Sequence, residues 1–134
     1  MLSPEERLDE VMKVLDEIER LSAEAPVVVE GLKDVEALRL LGIEGNVIPL
    51  GRGRTIVAFC EDLAKEHETV VLLTDWDRKG GHLARTLKDA LTTNGVKVLD
   101  TPRTQLVILT KKDIKDIEGL PAFIRRLKAE AGRA

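Results

Sequence analysis

The chain has 134 residues, 43% of them hydrophobic and 34% charged, the size and balance of one folded domain, 1–134, with a core of its own. No apolar run approaches the roughly 20 residues that a membrane helix needs, so no membrane role is expected. A formal net charge of −3 excludes a global electrostatic grip on nucleic acid, and one Trp, two Phe and no Tyr are too few for a base-stacking platform, so any nucleic-acid contact must be local.

The opening Met1-Leu2-Ser3-Pro4-Glu5-Glu6-Arg7 lacks the basic and then apolar stretches of a secretory signal, which points to the cytoplasm. Ser3 fits an N-cap, with Pro4 at the first helical position and Glu6 placed for a capping box. Leu8, Val11, Leu15, Ile18 and Leu21 then recur at helical spacing, predicting an amphipathic helix over 3–22. Val27 to Val29 predict a short strand, followed by a helix over 33–41 that Gly42 ends. Val47 to Leu50 predict a second strand, Gly51-Arg52-Gly53-Arg54 a loop, and 55–66 a helix through Ile56, Phe59, Cys60 and Leu63. Cys60 has no partner for an internal disulfide and reads as a small buried apolar residue suited to a reducing compartment.

Val70 to Leu73 form the strongest strand signal, after which Gly80-Gly81 opens a helix through Leu83, Leu87 and Leu91, closed by Asn94-Gly95. Val96 to Leu99 predict a fourth strand. Periodicity leaves Leu106 to Leu109 open between strand and helix, though Thr101-Pro102 suits a helix start, and 120–131 predict a last helix with Pro121 at its beginning. Strands alternating with helices predict an α/β fold of three layers. Its sheet would hold about four mostly parallel strands joined by right-handed crossovers and covered on both faces, with helices 3–22 and 120–131 as flanking elements.

Ligands of such sheets bind beyond the carboxyl ends of the strands, and three carboxylates fall on that edge: Glu30 after the first strand, Asp75 and Asp77 after the third. If the backbone stays extended past Leu73, Asp75 and Asp77 point the same way, making a hard-oxygen site of the kind Mg2+ takes, with its other positions left to water and phosphate. Trp76 between them is expected to point away and pack. Carboxylates gathered without a cation repel one another, and one of the three then holds a proton and is suited to general acid–base work. Arg52 and Arg54 on the same edge can grip phosphate bidentately, and Arg78, Lys79 and Arg85 add positive charge beside the aspartates. His67 and His82 have no partner at zinc-ligand spacing.

Val28-Val29-Glu30-Gly31, with Lys33-Asp34 close behind, and Thr74-Asp75-Trp76-Asp77-Arg78-Lys79-Gly80-Gly81 together resemble the Toprim domain of topoisomerases, bacterial-type primases, OLD-family nucleases, RecR and a ribosomal-RNA maturation nuclease. The resemblance implies a Rossmann-like sheet, Mg2+ (or Mn2+ in its place) held by Asp75 and Asp77 and shared with Glu30, and Glu30 as general acid or base. Length and the Lys111–Leu120 tail look like the small stand-alone Toprim proteins of archaea and some bacteria. With no tyrosine, no four-cysteine zinc module and no P-loop, the chain lacks what topoisomerases, RecR and primases, and OLD proteins add, leaving the nuclease branch or a noncatalytic binder. The expected activity is Mg2+-dependent phosphoryl transfer on structured RNA or DNA, with Lys33, Arg52, Arg54, Arg78 and Lys79 on flanking phosphates. The alternative is a metal-dependent nucleic-acid-binding module whose protein partner supplies recognition or catalysis. A small-molecule phosphatase of the D-x-D-x-[TV] type is disfavoured because Lys79 stands at the last position.

Overall fold

In a computed structural model describing residues 1–133, Ser3 opens helix α1 (Pro4–Ser22) through the expected reciprocal cap: the Glu6 N–H donates to Ser3 Oγ at 3.1 Å and the Ser3 N–H to Glu6 Oε1 at 3.0 Å. The chain continues as β1 (Val27–Val29), α2 (Leu32–Leu40), β2 (Val47–Pro49), α3 (Ile56–Glu66), β3 (Thr69–Leu72), α4 (Arg78–Thr93), β4 (Lys97–Leu99), α5 (Thr101–Thr110) and α6 (Leu120–Glu130). The undecided 106–109 stretch is helical. Pro102 sits in the first turn of α5, where its missing N–H costs nothing, and Leu106 faces the core. Helix α4 starts at Arg78, two residues before Gly80, because the Asp77 side chain caps it. No helix among the described residues is long and apolar enough to cross a membrane.

The four strands are all parallel, in the order β2-β1-β3-β4. Because successive residues of a strand face opposite sides, the valines separate into two cores. Val27, Val29, Val71 and Leu73 pack with α1, α2, α5 and α6, whereas Val28, Val70 and Leu72 pack with Phe59, Cys60 and Leu63 of α3 and Ala84, Leu87 and Leu91 of α4. Burial also pushes the Cys60 thiol up, as befits an unreactive packing residue.

The strand order places the site. From β1 the chain goes to β2 on one side and then crosses back to β3 on the other, so β1 and β3 are neighbours whose connections leave in opposite directions. In an open parallel sheet that is where a crevice forms beyond the strand ends. Glu30 follows β1 and Asp75 closely follows β3.

Candidate metal and nucleic-acid site

Gly31, directly after Glu30, is the N-cap of α2, and its N–H donates to Asp34 Oδ2 at 3.0 Å. Its φ of −151° is open to any residue, and a Cβ there would meet no atom within 4 Å, so Gly31 leaves room beside Glu30 and is not needed to make a turn. Asp34 is buried, and that burial pushes its carboxyl up, with the Gly31 N–H opposing and Glu30 adding to the rise.

Across the β1–β3 junction the Asp75 N–H donates to Glu30 Oε2 at 2.9 Å, and Asp75 Oδ1 accepts the Ile117 N–H at 3.0 Å. Burial pushes the Asp75 carboxyl up to about 7 against the Ile117 hydrogen bond, with Asp34, Glu30 and Asp116 raising it further. Glu30, Asp34, Asp75 and Glu118 line one cavity of about 680 Å³, with Lys33, Gly51 and Arg52 around it. The peptide after Asp75 is also held: the Trp76 N–H donates to Lys115 O at 2.8 Å and its Nε1–H to Ile114 O at 2.9 Å, turning the indole toward the core as expected.

The other candidates go elsewhere. Asp77 is exposed and outside the cavity lining, with Oδ1 accepting the Gly80 N–H at 2.6 Å. Helix α4 therefore begins at once after Asp77, whose own backbone is still extended, and the Asp77 carboxylate is spent on the first turn of α4 and does not line the cavity. Gly80 is required there, since a Cβ would lie 2.1 Å from Asp75 O. Arg54 turns toward α3, paired with Asp62 and lying 5.1 Å over the Phe59 ring, so its charge does not face the cavity. Arg78 and Lys79 are exposed in the first turn of α4. Among the described residues no three His, Cys, Asp or Glu side chains converge as a ready-made metal cage.

The donors present nonetheless suit a hard divalent cation. Glu30 and Asp75 each spend one carboxylate oxygen on a backbone N–H and keep the other, and a half-buried carboxyl among further acids, raised to about 7, is stabilised by added positive charge. Sequence reasoning passed over three contributors. Asp34, named only beside Lys33 in the first motif, was given no role in the site, although its place three residues after an N-cap glycine is a visible capping signal. Arg103, which donates to Thr74 O and Asp75 O, and the Ile117 N–H arrive from α5 and from the α5–α6 connection with no local mark.

Residues 25–107, which hold Glu30, Asp75 and Asp77 in this arrangement, match the family model of the Toprim domain. The chain belongs to the Toprim family. A Toprim domain is a metal-binding, nucleic-acid-related domain, in keeping with the acidic cavity rimmed by Lys33 and Arg52. This Toprim chain is 36% identical over 127 residues to a UPF0292 protein of Methanosarcina barkeri, covering 94% of this chain and 88% of that one. It is 33% identical over 122 residues to a UPF0292 protein of Methanocaldococcus jannaschii, covering 91% and 95%. A solved structure of an Aquifex aeolicus protein superposes with a TM-score of 0.68 at 32% identity, covering 79% of this chain and 94% of that one. The 114–117 segment, which supplies Ile114 O, Lys115 O and the Ile117 N–H to the loop after β3, lies beyond the residues that match the Toprim model.

Proposed function

We propose that this chain is a Mg2+-dependent nucleic-acid phosphoryl-transfer domain, a nuclease acting on structured RNA or DNA in the cytoplasm. The observation that carries the reading is the joining of Glu30 to Asp75 at the ends of adjacent strands, in a cavity rimmed by Lys33 and Arg52. Asp75 would hold Mg2+, or Mn2+ in its place, with Asp77 able to join through the oxygen its cap leaves over; Glu30 would share the ion only through Oε2, its Oε1 being kept for the proton. A bound ion there neutralises phosphate charge and lowers the cost of charge developing on it.

The chain's own groups do the rest. Asp75 anchors Glu30 through its N–H, leaving Glu30 Oε1 to take or return a proton at the attacking or leaving oxygen. Lys33 and Arg52 orient the backbone by its phosphates, and Arg78 and Lys79 extend that positive edge along α4. Arg54, committed to Asp62, has no part in this clamp.

A second reading is a noncatalytic, metal-dependent nucleic-acid binder working with a protein partner. It is favoured by the commitment of Asp77 to the α4 cap, which leaves two carboxylates, rather than three, held together.

The deciding experiment incubates the chain with end-labelled structured RNA and DNA, with Mg2+ or with chelator, beside Glu30→Gln. Mg2+-dependent cleavage that falls by about a hundredfold or more in Glu30→Gln supports the nuclease. Mg2+-dependent binding without cleavage moves the assignment to the binder, and neither cleavage nor binding rejects both.

A further inference from the structure

We infer that Arg103 is a positioning residue of the loop after β3, pinning two successive peptide planes whose common Cα carries the Asp75 carboxylate. What the loop binds rests on the function proposed above; that Arg103 orients it does not.

Past Leu72 the parallel ladder is over. The Leu73 N–H still reaches Val28 O, but Thr74 and Asp75 have no strand neighbour to donate to their carbonyls. Buried carbonyls need donors, and here they come from α5: Arg103 Nε donates to Thr74 O at 3.0 Å and Nη2 to Asp75 O at 2.8 Å. Thr74 O and the Asp75 N–H belong to one rigid peptide plane, and Asp75 O and the Trp76 N–H to the next. The N–H end of the first plane is held by Glu30 Oε2 and that of the second by Lys115 O. Arg103 therefore holds the carbonyl ends of both planes while Glu30 and Lys115 hold the opposite ends. With both planes fixed, the direction of the Cα–Cβ bond of Asp75 between them is fixed too, and the Ile117 N–H on Oδ1 then holds the carboxylate about that bond.

The role needs arginine. Two donors in a planar fork meet two consecutive carbonyls, whereas a lysine ammonium offers the charge at one point. The guanidinium also places its charge near Asp100, Glu30 and Asp75, so charge and fork must be separated by experiment.

The test is amide hydrogen exchange on metal-free wild type, Arg103→Lys and Arg103→Met, followed by Mg2+ calorimetry on each. Both variants are expected to exchange the Asp75 and Trp76 amides about tenfold faster or more, while the Leu73 amide keeps its wild-type protection. The Mg2+ dissociation constant is expected to rise about tenfold to a hundredfold in both. Unchanged Asp75 and Trp76 protection overturns the inference. So does full retention in Arg103→Lys with loss in Arg103→Met, which would make charge the cause, or equal loss at Leu73, which would make Arg103 a general stabiliser. If the wild type binds no Mg2+ the proposed function fails, while the exchange contrast still decides the role of Arg103.

Discussion

The Asp75 N–H donates to Glu30 Oε2 at 2.9 Å, joining two residues 45 positions apart across the β1–β3 junction. This bond makes one site of two strand ends, and it sets Glu30 close enough for its charge to weigh on the ionisation of Asp75. Asp75 carries the consequence, since burial first, then Asp34, Glu30 and Asp116, push its carboxyl up to about 7 against the Ile117 N–H.

A metal-free carboxyl raised above its unfolded value binds its proton more tightly in the folded state. Its contribution to stability is then full below the ordinary carboxylate range and is lost as pH rises to about 7. Thermal melts in chelator should accordingly fall between pH 5 and pH 8. Asp75→Asn, a neutral isostere whose Oδ1 can still accept the Ile117 N–H, should melt higher than wild type at pH 8 and lose that part of the pH dependence. A wild-type melt that rises over this interval by as much as that of Asp75→Asn would contradict the assignment.

Cation binding must displace the same proton. Below pH 7 Mg2+ affinity should climb about tenfold per pH unit, then level above it. Trp76, the single tryptophan, stands next to Asp75 with its indole N–H on Ile114 O, so its emission should report the titration. Saturable change in wild type and none in the Asp75→Asn, Asp77→Asn double variant is the expected result.

Gly80 and Gly31 should respond oppositely to added side chains. A Cβ at Gly80 would sit 2.1 Å from Asp75 O, so Gly80→Ala has to displace α4 or the loop, costing about 1–3 kcal/mol or more and weakening Mg2+ binding. At Gly31 a Cβ meets nothing within 4 Å and the position is an N-cap, so Gly31→Ser should change stability by no more than about 0.5 kcal/mol. Urea titrations of the two variants check both.

Arg52 and Arg54, two residues apart, should separate in function. Arg52→Gln and Lys33→Gln remove charge from the cavity rim and should each lower the salt slope of nucleic-acid binding by about 1. Arg54→Gln should leave that slope unchanged, because its guanidinium is occupied by Asp62 and the Phe59 ring. Fluorescence anisotropy of a labelled RNA hairpin across a salt series distinguishes them, and an equal effect of all three would refute the division.

Much of the fold was legible because its signals are short-range. The Ser3 cap, the valine runs of β1 and β3, and Asn94-Gly95 at the end of α4 act within a few residues of themselves, and each appears where expected. The 106–109 stretch was not legible, since a short apolar run fits a strand or a helix equally until packing decides. Its helix follows from the contact of α5 with α1 and the burial of Leu106 between them.

The candidate site divides along the same line. From residues alone one learns that Glu30, Asp75 and Asp77 share an edge of the sheet, because parallel strands bring every residue that follows them to one side. Which of them share a cavity was decided by tertiary structure. The order β2-β1-β3-β4 makes Glu30 and Asp75 neighbours, α4 draws Asp77 into its cap, and Asp62 draws Arg54 away. Arg103 and the Ile117 N–H reach the Asp75 loop from distant segments. Nothing beside them in the sequence announces this, since a hydrogen bond to a remote backbone depends on how the layers pack and not on neighbouring residues.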